Sequence, residues 1–100
     1  MYAKVSTIQV KPGKMDECVS SVASMILLSR KTKGNKAGIM LIDRNQNKAI
    51  TIVIWEAKAD MIASENETEG SYQEASTKLA ALLDGSLVWE QYEVGFITFR

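Results

Sequence analysis

Histidine is absent from all 100 residues of the chain, and cysteine and proline occur once each, as Cys18 and Pro12. Without histidine the chain lacks the commonest transition-metal ligand, the side chain that titrates near neutral pH, and the usual partner of a nucleophilic Ser or Cys. A Ser-His-Asp triad, a zinc site and a histidine-ligated haem are thereby excluded within this one chain. A single cysteine allows no intrachain disulfide and gives no sign of an oxidising compartment. An excess of charge of either sign is also missing. Twelve basic and twelve acidic residues cancel, so no positive field or aromatic-studded basic stripe exists to hold a phosphate backbone, and nucleic acid is not an expected partner. The longest apolar runs, such as 39–42 and 49–55, fall far short of the roughly 20 residues that span a bilayer, and the start "MYAKVSTIQV" lacks the layout of a secretory signal. A cytoplasmic protein with no membrane partner is expected.

What is present suits a folded domain. Apolar residues make up 46% of the chain and charged residues 24%, which fits a globular protein rather than a disordered or fibrous one, and the length suits one domain over residues 1–100. "YAKVSTIQV" is rich in β-branched residues and stops at "KPG", which predicts a first strand. Met15, Cys18, Val19, Val22, Met25 and Ile26 then recur at helical spacing. That helix is expected to end near Lys31 to Lys33, with Gly34 as a left-handed cap.

"GIMLID" and "KAITIVIWE", separated by "RNQN", predict a β-hairpin. Both blocks are apolar on successive residues, the pattern of a sheet covered on both faces. A short helix is expected around Met61 and Ile62, followed by a polar break at "NETEG" and a longer helix opening on a capping box, Ser71 with Glu74. The apolar stripe of the longer helix is Tyr72, Ala75, Leu79, Leu82 and Leu83, closed by Asp84 and Gly85. The final stretch "SLVWEQYEVGFITF" predicts a fourth strand, with Val88, Glu90, Tyr92, Val94 and Phe96 on one face and Trp89, Gln91 and Glu93 on the other.

The order strand, helix, strand, strand, helix pair, strand is the split βαβ arrangement of ferredoxin-like α+β domains, with a four-stranded antiparallel sheet. Helices on one side leave the other face open. An apolar open face predicts a homodimer joined through the sheets.

This element order, with "GIMLIDRNQNKAITIVIWEAKADMIASE" and the ending "WEQYEVGF", resembles the antibiotic biosynthesis monooxygenase-like group of dimeric α/β-barrel proteins over nearly the whole chain. The most specific part is the hydrophobic strand ending in Trp55-Glu56 and the short helix that follows it, to Glu65. The resemblance implies two subunits whose sheets pack face to face, with a pocket in each between sheet and helices. Some members oxidise aromatic polyketides with molecular oxygen and no cofactor; relatives cleave haem. The haem-cleaving branch places Asn, Trp and His where Ser6, Ser64 and Glu74 stand here, so that activity is not expected. The cofactor-free branch uses a strand-three Trp, matched by Trp55, with Asn and Tyr at the positions of Thr51 and Met61.

The expectation is therefore an oxygenase-like protein without metal or cofactor, acting on a small apolar or aromatic molecule. Trp55 and Thr51 are the candidate catalytic residues, and Trp55, Met61, Ser6 and Tyr72 the candidate ligand contacts. A non-catalytic binding protein using the same pocket and a purely structural dimer are the alternatives. For Trp55 the competing role is a core aromatic whose indole N–H meets a backbone carbonyl. Trp89 and Tyr92 read as core or interface residues, Glu90 as a strand charge paired with Lys4, Cys18 as a buried inert thiol, and the run 30–36 as a solvated helix end.

Overall fold

A computed structural model of the chain describes residues 1–65, 70–85 and 87–100, the side chains of 70–73 apart. Its elements are β1 (Tyr2–Gln9), α1 (Met15–Ser29), β2 (Asn35–Asp43), β3 (Lys48–Trp55), α2 (Lys58–Ser64), α3 (Gly70–Ala80) and β4 (Val88–Glu93). The strands form one antiparallel sheet in the order β2-β3-β1-β4, and the architecture is the ferredoxin-like α+β fold expected from the sequence.

Strand register sorts the side chains onto two faces. Ser6 pairs with Thr51 and Trp89, Lys4 with Val53 and Gln91, and Tyr2 with Trp55 and Glu93. Directly paired residues share a face, so these residues lie together on the side that α1 covers. On that side Ile8 and Ala49 join Val10, Met15, Cys18, Val22, Leu79 and Leu82 in the main core. The stripe predicted for α1 faces inward as expected. Gly38 of β2 lets α1 approach: a Cβ there would stand 2.5 Å from Ile26 Cγ2, closer than packed atoms tolerate.

The opposite face carries Ala3, Val5 and Thr7 of β1, Ile50, Ile52 and Ile54 of β3, and Ile39, Leu41, Val88 and Tyr92 of the outer strands. Ile39, Leu41, Val88 and Tyr92 are each about half exposed. Among the described residues no helix is long and apolar enough to cross a membrane.

Three boundaries differ from the sequence reading. Helix α1 stops at Ser29 and continues as a turn through Thr32, although Gly34 takes the predicted positive φ, +77°. Helix α3 stops at Ala80, so Leu82 and Leu83 reach the core from a turn, where Leu83 bridges to Val10. Strand β4 ends at Glu93 because its partner β1 begins at Tyr2; beyond the Val94 N–H donating to the Met1 carbonyl at 2.8 Å, the tail has no neighbouring strand. Phe96 and Phe99 consequently stand exposed. The capping box at Ser71 and the break at 66–69 lie outside the described side chains and residues.

Candidate functional site

A cavity of about 490 Å³ lies between the helix-covered face of the sheet and the helices, within the size range of small-molecule sites. Its floor is Ser6 of β1, Thr51, Val53 and Trp55 of β3, and Trp89 of β4; Val22, Met25 and Ile26 of α1 and Leu79 and Ala80 of α3 form the opposite wall. Strand pairing sets the floor: Ser6 sits between Thr51 and Trp89 across three adjacent strands. Lys4, Ser64 and Glu65 line the same space.

Trp55 is only 4% exposed, and its position is fixed by a chain of hydrogen bonds that starts beyond α1. The indole Nε1–H donates to Thr32 Oγ1 at 3.0 Å, and the Thr32 hydroxyl donates to the Ser29 carbonyl at 2.6 Å. The partner is thus a hydroxyl rather than the backbone carbonyl expected. Asn35, registered opposite Trp55, donates its N–H to the Thr32 carbonyl, and the Glu56 N–H donates to the Gly34 carbonyl at 2.7 Å. Gly34 is needed there, because a Cβ would fall on the Asp60 carboxylate at the start of α2, and its positive φ disfavours any side chain. The turn after α1 and the end of β3 are thereby clamped together.

Thr51 is the buried polar residue of the floor, 8% exposed. Among the described residues, neither its hydroxyl nor that of Ser6 has a hydrogen-bond partner, which leaves two neighbouring hydroxyls available to a ligand. Ser64 is occupied, donating to the Met61 carbonyl at 2.6 Å.

The charged group on the floor is Lys4. Its ammonium stands 3.7 Å above the centroid of the Trp89 ring and 3.4 Å from Glu65 Oε1, and Gln91 Nε2 also donates to that oxygen, at 3.5 Å. Glu90, expected to pair with Lys4, lies on the other face and accepts the Tyr92 hydroxyl at 2.5 Å. That hydrogen bond, with lesser contributions from burial and from repulsion by the same carboxylate, raises the Tyr92 pKa above its ordinary value.

Of the residues expected at a site, Trp55, Thr51 and Ser6 line one cavity. Met61 is fully buried and is not among the lining residues. The Tyr72 side chain lies outside those described. Trp89 and Lys4 are among the lining residues that sequence reasoning did not assign to the site. Alternation correctly set Trp89 opposite Tyr92, but only the register with Ser6 shows which face the helices cover. Among the described residues no three His, Cys, Asp or Glu side chains come together as metal ligands.

No protein-family model matches the sequence, and no curated protein matches it either. Solved structures do match. The fold is that of the antibiotic biosynthesis monooxygenase structures, the group the sequence resembles. A Nitrosomonas europaea protein provisionally named an antibiotic biosynthesis monooxygenase superposes with a TM-score of 0.81 at 14% identity, covering 96% of this chain and 100% of its own. SnoaB, a cofactor-independent oxygenase from Streptomyces nogalater, gives 0.79 at 16% identity over 96% of this chain and 94% of its own. A conserved protein from Methanosarcina mazei gives 0.77 at 20% identity, over 91% and 89%. Such identities establish a shared fold; residue roles have to be argued from the cavity itself.

Proposed function

We propose that the chain is a cofactor-independent oxygenase acting on a small, planar, largely apolar molecule held in the cavity between sheet and helices. The observation that carries the reading is the floor itself: an immobilised Trp55 beside the unpartnered hydroxyls of Thr51 and Ser6, inside a largely apolar space of ligand size. An apolar cavity with a few convergent polar groups is the usual form of a small-molecule site. The likeness to SnoaB, described as a cofactor-independent oxygenase, supports the reaction class.

In this reading the substrate supplies the electrons for oxygen. An activated methylene between aromatic rings loses both hydrogens; one oxygen atom of O₂ becomes the new carbonyl and the other leaves in water. The protein contributes positioning and stabilisation of the substrate anion, Trp55 as a flat wall and Thr51 as a hydrogen-bond donor. A second copy of the chain, docked on the open apolar face, is the partner we propose, and the lone buried thiol suits a reducing compartment such as the cytoplasm.

Oxygen uptake with anthrone as probe tests the proposal. Catalysed formation of anthraquinone carrying one atom from labelled O₂ is expected, with a large loss of turnover in Trp55→Phe at unchanged fold. Uptake no faster than in buffer removes the oxygenase reading for this substrate type, and full turnover in the variant removes Trp55 from the mechanism.

A further inference from the structure

Among the polar groups on the cavity lining, one is a lysine ammonium held over an aromatic ring. Lys4 lies on the middle strand pair of the sheet, its side chain only 23% exposed. An ammonium carries three donors. Among the described residues a single hydrogen bond engages it, to Glu65 Oε1 at 3.4 Å, longer than the 2.7–2.9 Å usual for a lysine–carboxylate bond, and Glu65 shares that oxygen with Gln91. The Trp89 ring beneath it at 3.7 Å attracts the charge without consuming a donor. Lys4 therefore keeps free donors in the cavity, and the cation is restrained before any ligand arrives.

The neighbours decide what those donors suit. Trp89 is paired with Ser6, and Ser6 lies two residues from Lys4 on the same face of β1, so an unpartnered hydroxyl borders the same part of the floor. A ligand oxygen placed there would meet two donors at once, one of them charged. Lys31, the other cation on the lining, is exposed and screened by water. Val53, Leu79 and Leu83 offer apolar contact, and the Glu65 carboxylate that shares the lining holds Lys4 by a single long contact that a ligand oxygen would have to outcompete.

We propose that Lys4 is the anion anchor of the cavity: it selects a planar aromatic ligand bearing an ionised oxygen, with Lys4 Nζ and Ser6 Oγ donating to that oxygen. The proposal rests on the cavity being a ligand site, as argued above, and adds the charge of the ligand and the residue that reads it. Lys4 is a specificity residue in the free-ligand complex. For an oxygenase it would hold the oxyanion of the enolised substrate.

Isothermal titration calorimetry with 2-naphthoate and its neutral isostere 2-naphthamide tests this. In the native chain naphthoate is expected to bind roughly ten- to a hundredfold more tightly than the amide, the range for a hydrogen bond to a charged group. Lys4→Met should abolish the preference while leaving amide affinity nearly unchanged; Lys4→Arg, which keeps the charge, should retain most of it. Equal affinity of the native chain for the two probes overturns the Lys4 assignment alone and needs no variant to fold. A preference that survives in Lys4→Met overturns it as well. If neither probe binds, the cavity is not a site for planar aromatics, and the reading on which the proposal rests fails with it.

Discussion

The two faces of this sheet are built from the same strands and reverse the usual relation between polarity and burial. On β1 the helix-covered face carries Lys4, Ser6 and Ile8, whereas the open face carries Ala3, Val5 and Thr7. On β3 the covered face carries Thr51, Val53 and Trp55, and the open face Ile50, Ile52 and Ile54. Lys4, Ser6 and Thr51 thus point under the helices, whereas Ile50 and Ile52 point to the open face beside Thr7 and Glu90, and Ile54 at its end is already buried. Under the helices, hydroxyls and an ammonium border a cavity instead of closed packing. Apart from Thr7 and the Tyr92–Glu90 pair, the open face has the composition of a core without its second layer, which suits a sheet-to-sheet interface. On the proposed reading, one face serves a small molecule and the other a second copy of the chain.

The strongest way to break that comparison is a charge at the centre of the open face. Ile52 sits on β3, paired with Val5 on one side and Ile39 on the other. If a second copy covers it, Ile52→Lys buries an unpaired ammonium in both subunits. Sedimentation velocity should then show a dimer in the native chain and a folded monomer in the variant, the dissociation constant rising by roughly a thousandfold or more. A native chain that stays monomeric at high concentration would leave the open face without the role assigned to it.

A pair of truncations sharpens the contrast. Ile8 is almost completely buried within the chain, whereas Ile39 is half exposed. Ile8→Ala should destabilise by roughly 2–5 kcal/mol, independent of protein concentration. Ile39→Ala should weaken stability mainly through the dimer, so its effect on the denaturant midpoint should change with concentration. Equal concentration dependence for the two variants would mean that the faces are not distinct in this sense.

Much of this arrangement was legible in the chain, and the parts that were not share a cause. Each helix and strand is a local pattern: Met15, Cys18 and Val22 recur at helical spacing, and the isoleucines of 49–55 alternate, so element order and the apolar open face follow from neighbours in sequence. The contacts that make the site are distant in sequence. Trp55 meets Thr32 across a chain reversal, Lys4 meets Glu65 across 61 positions of sequence, and Trp89 enters the cavity only through its register with Ser6. Nothing in a strand's own alternation says which of its faces a helix will cover. Trp89 and Lys4 were misassigned for that reason, and the over-long β4 for a related one: its apolar tail continues the strand pattern after β1 has run out of backbone to pair with.

The Thr32–Trp55 bond is the next test, smaller in effect and confined to the covered face. Thr32→Val keeps the shape of the side chain and removes the hydroxyl, which leaves the indole N–H of a 4%-exposed tryptophan without its partner. An unsatisfied buried donor costs about 1–3 kcal/mol, so the midpoint of thermal unfolding should fall. Naphthoate affinity should fall with it if the indole is a wall of the cavity that needs to be held in place. A stability loss with unchanged affinity would restrict Trp55 to packing, and would return it to the role of a core aromatic.

The smallest expected effect concerns Cys18, fully buried in the core that the covered face shares with α1. Burial disfavours the thiolate and raises the pKa of the thiol above its ordinary value of 9.0. The unfolded chain, with the lower pKa, releases this proton first as pH rises. The native state then binds more protons than the unfolded state, and linkage makes stability fall with pH. The contribution is fully present below about pH 9 and is lost as pH climbs from the ordinary thiol value through the raised one, with a slope of at most about 1.4 kcal/mol per pH unit. Tyrosines and lysines titrate in the same alkaline range, so the informative quantity is the difference between the native chain and Cys18→Ala, measured by urea unfolding between neutral and alkaline pH. The variant should start less stable because of the small cavity it leaves, and the gap should narrow as pH rises. A gap that stays constant would mean that the thiolate is tolerated in the fold, and that this part of the core opens to water more readily than its packing indicates.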